Sequence, residues 1–485
     1  MICAYSAIGL VFVVMMTSLV STFRFIFVLG VLPLSRSGFV TQPSQPPKMK
    51  MKTSSQIASM TAVSEKSTDD PLLKIIQRSF PDAESYEIED TIKQANAEGF
   101  GLIVNGINKN STSLFVKRVE AYKYSHKPWG DLRRTLLYAR TEARFYSDVL
   151  PLLKEKNKST WNIAPTCHLA ETNLHGLVEE HESTSAKASE TVGDPSYDEK
   201  NTSILHEKGG LLVLESMKGT FFQTSPLTPD KAGQCLKAIA NFHATGFQDE
   251  SILASVADKL CEFGGSYHLK NRNPKELKNI QKTWNDFSDG IATAAPELFG
   301  RESIKDLAKR IQYMAEYISQ ELSPAPSDEY ATIVHGDYKA MNVFLPDQGE
   351  NSKPIIIDFA STGLGLGMSD VAMHITHALD PKYLIDGGEE ALVDVYLDAL
   401  DKALPDHHSY PRDVALRHYR LAVIDYFRFI MGRLWRGATL ETFESRKDSK
   451  NSVYVNRSVE AAINFIERAD RYLSEFEEER KNVEL

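Results

Sequence analysis

Hydrophobic residues along this chain keep two different rhythms, and the change from one to the other divides it. After a short amphipathic stretch, PLLKIIQRSF from Pro71, the segments YEIED, GFGLIVNGI and SLFVKRV between residues 86 and 120 alternate apolar and polar positions or form short apolar runs, broken by turn residues. This is the signature of strands in hairpin order. RRTLLYARTEARFYSDVLPLL then spaces Leu136, Ala139, Ala143, Tyr146 and Leu150 as one stripe of a helix that should lie on the sheet. IAPTCHLAE and GGLLVLESM read as two further strands, separated by a polar insertion from 181 to 208 expected to be a mobile loop.

From Asp230 onward the period is helical. DKAGQCLKAIANFHATGF puts Ala232, Cys235, Leu236, Ile239, Ala240 and His243 on one face, and Glu302 to Leu322 forms another helix ending at a Pro-rich turn. Two β-branched runs interrupt this part, Thr332 to Val334 and Ile355 to Ile357, and residues 388 to 480 return to helix. Strands segregated before helices imply an α+β fold.

Composition sharpens the picture only in places. With 485 residues, 42% hydrophobic and 25% charged, the chain is long and apolar enough to bury a sizeable core. Cys3, Cys167, Cys235 and Cys261 are scattered without a C-x-x-C, so neither a disulfide framework nor a zinc site is indicated. Residues 1 to 64 carry five basic and no acidic residues; removing those five charges from the net −10 leaves −15 on the rest. A body that acidic repels phosphate backbones and argues against nucleic acid as a main partner.

The chemistry concentrates in ATIVHGDYKAMNVFLPDQGENSKPIIIDFASTGLGLGMSDVAMHI, residues 331 to 375. One β-branched run leads into His335-Gly336-Asp337, Asn342 follows five residues after the aspartate, and the second run delivers Asp358. That spacing suits metal-assisted phosphoryl transfer: Asp337 to accept the proton of an attacking hydroxyl, Asn342 and Asp358 to hold Mg²⁺ ions that bridge ATP phosphates. The sequences HGDYKAMNVFL and IIIDFASTGLGLGMSDVAMHI resemble the kinase-like small-molecule phosphotransferases, which include aminoglycoside phosphotransferases and choline kinases. They most resemble the ecdysteroid-kinase-like group, with its H-G-D-x-x-x-x-N followed by I-D-F.

The resemblance implies a two-lobed protein-kinase-like fold, with a small β-rich N-lobe over 67–219 and a large helical C-lobe over 220–485. The catalytic loop would span 333–345 and the metal-binding segment 355–370. It also implies further site residues. Lys117, which alternates with Phe115 and Val119 on one strand face, would contact the α- and β-phosphates, and Glu142 would pair with it. Backbone groups of Glu215 and Met217 would meet the adenine edge at the interlobe hinge, and Lys339 would reach the γ-phosphate. Gly99 and Gly101 stand where a phosphate-covering turn is expected, although Val104 replaces the last glycine of G-x-G-x-x-G. His335 and Gly336 read as structural, His243 as a packing residue, and Asp370 as either a partner of the loop backbone or a helix-dipole charge.

Glycines 363, 365 and 367 miss the dinucleotide spacing and read as a flexible loop before a helix capped by Ser369. Asp425, Arg428, Arg433 and Trp435 are candidates for acceptor contact or for ordinary core and surface roles. The acceptor is expected to be a small molecule carrying a hydroxyl. A protein kinase is disfavoured by Gly336 in place of Arg and by Ala360 in place of Gly after Asp358-Phe359; a non-catalytic nucleotide-binding protein on the same fold is disfavoured because the polar set is complete.

Ahead of the folded part, residues 1–34 are apolar around Arg24, and the Ser/Thr/Lys-rich stretch to residue 64 follows. A signal then a transit peptide, with Phe39 near the join, resembles the bipartite presequences of algae with complex plastids. Plastid import is the expectation for 1–66, and a secretory or membrane-anchored fate the alternative.

Overall fold

The structure is a computed structural model, and it describes residues 70–93, 97–156, 162–178, 202–347, 353–405, 407–448 and 458–484. Residues 1–66, where a presequence or anchor is expected, lie outside these residues. Among the described residues no helix is long and apolar enough to cross a membrane. The described residues form two compact units, one within 70–87 with 104–111 and one within 88–103 with 112–484.

In the first unit, helix α1 (Pro71–Ser79) starts where Pro71 fits the first helical position and Asp70 caps it, its Oδ1 accepting from Leu72 N at 2.8 Å. The other oxygen of Asp70 accepts from Tyr86 Oη at 2.7 Å. Asn108 and Lys109 both take positive φ, 49° and 64°, as a two-residue hairpin turn requires.

Strands β1 (Ser85–Lys93), β2 (Glu98–Ile107), β3 (Asn110–Glu120), β4 (Cys167–Asn173) and β5 (Gly209–Glu215) form one sheet in the order β1-β2-β3-β5-β4, antiparallel where β5 meets β3 and β4. In the second unit, helix α2 (Trp129–Arg144) packs on this sheet, so closely that a Cβ at Gly210 would lie 3.1 Å from that of Ala139. The helical path then runs through a widened turn, Phe145–Val149, whose Phe145 and Tyr146 are buried.

Beyond the sheet the second unit is mainly helical: α3 (Pro229–His243), α4 (Ile280–Ile291), α5 (Leu307–Glu321), α6 (Met368–Ala378), α7 (Gly388–Ala403), α8 (Arg412–Phe429) and α9 (Val459–Glu484). Short strands β6 (Phe221–Phe222), β7 (Ala331–Val334), β8 (Val343–Pro346), β9 (Ile355–Ile356) and β10 (Gly363–Leu366) thread among them. The fold class is thus α+β, a five-stranded sheet followed by a helical part. One buried charge group fastens the last helix: Glu389 of α7 accepts from Arg468 and from the hydroxyls of Tyr419 and Tyr472, at 2.7 and 2.8 Å.

Three local expectations need correction. The polar insertion is not loop throughout: Thr202–Leu205 makes a helical turn whose Leu205 is fully buried, and 179–201 lie outside the described residues. The helix expected from Glu302 to Leu322 breaks at Asp306, where ψ is near 0°. Residues 363–366 are a strand, β10, paired with β7 at Gly363–Val334. Its glycines serve close approach, since a Cβ at 363 would lie 2.3 Å from Cys261 O. The following helix starts at Met368 with Gly367 at the cap, so Ser369 sits inside it.

Candidate active site

Buried strand β7 ends at Val334, and after His335 the chain must reverse. Gly336 does so at φ +79°, where a Cβ would lie 2.1 Å from Ser361 O; only glycine fits. The loop is held from behind by Asp370, which accepts from His335 N at 2.6 Å and Gly336 N at 2.9 Å. Asp370 therefore bonds the loop backbone. His243 Nε2 bonds the same carboxylate at 3.1 Å and its Nδ1 meets Tyr396 Oη at 2.8 Å, so His243 is a packing and hydrogen-bonding residue. His335 Nε2 reaches Ile357 O at 2.9 Å, and its Nδ1 accepts from Asp337 N at 3.2 Å. One imidazole thus ties the two β-branched runs together next to Asp337 and Asp358.

Asp337 is oriented on both oxygens. Oδ1 accepts from Ser266 Oγ at 2.9 Å and pairs with Lys339 Nζ at 2.8 Å; Oδ2 accepts from Asn342 Nδ2 at 3.1 Å. Asn342 Nδ2 also donates to Asp337 O at 2.8 Å, closing the loop on itself.

Lys117, Glu142 and Asp358 arrive from three distant segments. On β3, Lys117 is opposite Leu212, and its ammonium reaches Glu142 Oε2 at 2.6 Å and Asp358 Oδ1 at 2.9 Å. Arg118, the next residue along the strand, points to the other face and pairs with Glu98 at 3.4 Å and Glu120 at 3.2 Å. Asp358 itself has φ +66°, a conformation costing a non-glycine residue about 1–3 kcal/mol. It is locked in place by Phe359, fully buried and stacked on Phe145 at 3.8 Å, with Phe242 and the His335 ring around it.

The electrostatics follow from one ammonium serving two carboxylates. Burial works against the Lys117 charge, yet Asp358 and Glu142 hold its pKa above the usual lysine range. Burial by itself would raise the Asp358 carboxyl, but Lys117 outweighs it and keeps the group below the ordinary carboxylate range. Glu142 goes the other way: burial, reinforced by the nearby Asp358 charge, raises it despite Lys117. A surplus negative charge is left on the trio. The oxygens of Asp358 and Asn342, with Asp337 beside them, are hard donors of the kind Mg²⁺ takes, and Asn342 turns its nitrogen toward Asp337, placing Oδ1 at the opposite end of the amide. The residues fit a divalent cation of that class.

Among the other expected residues, the two glycines are placed differently. Gly99 and Gly101 lie within β2 and not in a turn. A Cβ at Gly99 would come within 2.6 Å of the Phe115 ring, so ring packing across the strands accounts for that glycine. Glu215 ends β5 with its N–H given to Thr166 O at 2.8 Å, and Met217 is buried with its carbonyl accepting from Phe221 N at 3.1 Å. Asp425 and Arg428 are a buried pair at 2.7 Å, and Trp435 stacks on Phe287 at 4.5 Å, both within the core. Arg433 is half-exposed and bonds Glu276 at 2.8 Å.

Sequence reading missed the segment Cys261–Ser266. Its backbone is stitched to both loops, by Cys261 N to Thr362 O (2.9 Å), Gly264 N to Leu364 O (2.7 Å) and Ser266 N to Gly336 O (2.8 Å). The Gly264-Gly265 pair was the available signal.

Residues 107–408 match the model of the ecdysteroid kinase-like family. Among solved structures, choline kinase LicA from Streptococcus pneumoniae is similar at 11% identity, over 83% of this chain and 99% of that one, with a TM-score of 0.37. A microcompartment-associated aminopropanol kinase matches at 13% identity over 82% and 95%, TM-score 0.43, and a Plasmodium vivax ethanolamine kinase at 10% over 79% and 82%, TM-score 0.37. No curated relative matches the chain. The family model spans well over half the sequence and contains both the Lys117 trio and the Asp337 loop, so the chain belongs to the ecdysteroid kinase-like family.

Proposed function

We propose that this protein transfers the γ-phosphate of ATP to a hydroxyl group of a small molecule. The observation that carries the reading is Lys117 held at 2.6 Å from Glu142 and 2.9 Å from Asp358, in the same unit as an Asp337 fixed on both oxygens.

In this reading Lys117 meets the α- and β-phosphates while Glu142 fixes its position. Asp358 and Asn342 hold magnesium, which when bound neutralises charge on the phosphate oxygens. Asp337 accepts the hydroxyl proton. Its Oδ1 is aimed by Ser266 and Lys339, so the carboxylate needs little rearrangement as the proton arrives. Lys339 also lies near enough to lower the Asp358 carboxyl, after the larger effects of burial, Lys117 and His335. That position between two carboxylates suits a group that follows the transferred phosphoryl. Backbone atoms at Glu215 and Met217 receive the adenine edge.

The test is ADP release from Mg–ATP with the purified full chain over a library of small alcohols, with phosphomonoester formation followed by mass spectrometry. Turnover that disappears in Asp337→Ala and Asp358→Ala, both retaining the wild-type fold, supports the reading. An Asp337→Ala protein that still phosphorylates the same acceptor overturns it.

A further inference from the structure

Next to Asp337 lies a polar group that the chemistry above does not use. Ser266, the donor to Asp337 Oδ1, accepts at its own carbonyl from Arg272 Nη1 at 3.1 Å. Arg272 forks onto Glu276, Nε to Oε2 at 2.9 Å and Nη2 to Oε1 at 2.6 Å, and Glu276 Oε1 also accepts from Arg433 Nη1 at 2.8 Å. A continuous hydrogen-bonded path therefore runs from Asp337 to two guanidiniums that share one carboxylate.

Helix α2 adds a third. Arg134, Tyr138 and Glu142 are four residues apart in sequence and share one helix face. Glu142 is where that face meets Lys117, and Arg134 pairs with Asp131 further along. Between them the Tyr138 hydroxyl is buried and has no hydrogen-bond partner among the described residues. Arg134, Arg272 and Asp337 are among the charged groups around it. An orphaned buried hydroxyl within electrostatic range of two guanidiniums is a donor awaiting an acceptor.

Charge settles which ligand fits. Lys339 answers Asp337, while Asp131 and Glu276 answer two of the three guanidiniums, so a positive charge is left over. Arg433 is the least committed: its side chain is 47% exposed, against 6% for Arg272. Burial, and after it the neighbouring Arg272 charge with a smaller part from Arg134, works against the Arg433 charge, which a second anion there would offset. An ammonium would be repelled.

We propose that the acceptor carries an anionic group, a carboxylate, sulfate or phosphate, bound by Arg433 and Arg134 with the Tyr138 hydroxyl donating, while its reacting hydroxyl lies at Asp337. This rests on the reading of Asp337 as the base, and the experiment separates the two. First, with saturating Mg–ADP present so that the nucleotide site is filled, the melting temperature of the full chain is followed against sodium sulfate and against sodium chloride of equal ionic strength. A sulfate-specific rise in wild type that at least halves in Arg433→Gln and in Arg134→Gln supports the site. An equal rise in all three means an adventitious ion only and overturns it.

Second, glycerate, glycerol and 3-amino-1,2-propanediol are compared as acceptors by kcat/KM. The expected order is carboxylate over neutral over ammonium, about tenfold or more per step, with Arg433→Glu inverting it. A preference for the ammonium member in wild type overturns the proposal. If none is turned over, the sulfate result decides the subsite. Absence of any ATP-induced melting shift, with Lys117→Met indistinguishable from wild type, counts against the phosphotransfer reading alone.

Discussion

The Asp337 loop and the Lys117 trio are both polar, both largely buried, and built in opposite ways. The loop is made from neighbours: within eight residues, 335–342, backbone and side chains bond one another, and Asp370 and His243 hold them from behind. The trio joins residues separated by 25 and 241 positions in sequence and has no local bond to fall back on. Local construction fixes a carboxylate at little cost. Long-range construction makes a charge balance that exists only when the whole unit is folded.

Breaking the trio should therefore show in stability as well as in nucleotide binding. Lys117→Met leaves Glu142 and Asp358 buried without their cation, and removing one partner of a buried pair costs about 3–5 kcal/mol. Asp358 keeps a quarter of its side chain exposed, which puts the expected loss at the low end. Urea denaturation of Lys117→Met should show that loss together with absence of an ATP-induced melting shift. A variant as stable as wild type would mean that the trio is held by packing and not by charge. Glu142 adds a pH sign. Its carboxyl is raised above the usual range by burial, so as pH falls it takes up a proton early and Lys117 loses that partner. ATP affinity should fall on the acid side at higher pH than an ordinary glutamate would give, and Glu142→Gln should remove that limb.

The loop should respond the other way, in rate and not in stability. Asp337→Asn keeps the shape and the Asn342 contact but cannot take the proton, and turnover should drop about 10²- to 10⁴-fold with a change of under about 1 kcal/mol in unfolding free energy. Large destabilisation by this substitution would show that the loop depends on charge as the trio does.

This contrast also explains what could be read without coordinates. Asp337, Asn342 and Asp358 were legible because each follows a β-branched run at a fixed interval, and Lys117 because strand alternation put it among Phe115 and Val119. Pairings made at long range were not. Glu276 and Arg433 meet across 157 positions, and Ser266 and Asp337 across 71, with no periodicity to announce either. Gly99 misled for a related reason: a glycine absent a side chain looks like a turn, whereas here it makes room for a ring on the neighbouring strand. Ser369 misled because a serine before an apolar run looks like a cap, while the helix had already begun at Met368.

Asp370 is where the two designs touch, since it is buried yet carries the loop backbone. Asp370→Asn retains one carbonyl oxygen for two N–H donors, His335 at 2.6 Å and Gly336 at 2.9 Å, and leaves an amide nitrogen facing His243. The expected cost is about 1–3 kcal/mol in stability and a fall in kcat larger than the change in KM for ATP, because the base is misplaced while the trio is untouched. Equal changes in both would place Asp370 in the nucleotide site.

A stability effect that only pH reveals comes from behind the loop, at His374. Its ring is fully buried against Tyr338, centroids 4.9 Å apart, and burial lowers its pKa to about 4. In the unfolded chain an ordinary histidine titrates near 6.5. Between those values the unfolded chain binds a proton that the folded chain refuses, so stability must fall as pH drops through this window, by about 1.4 kcal/mol per pH unit, and level off below it. His268, also lowered to about 4 by burial, adds to the same slope. Urea denaturation of wild type and His374→Leu at pH 7.5, 6 and 5 isolates the part due to His374, since the substitution removes the titration and leaves an apolar side chain of similar length. A flatter stability curve for the variant, converging with wild type toward neutral pH, is the expected outcome. An unchanged slope would mean that the ring takes its proton in the folded state, and that the space behind the Asp337 loop is more polar than its apolar neighbours imply.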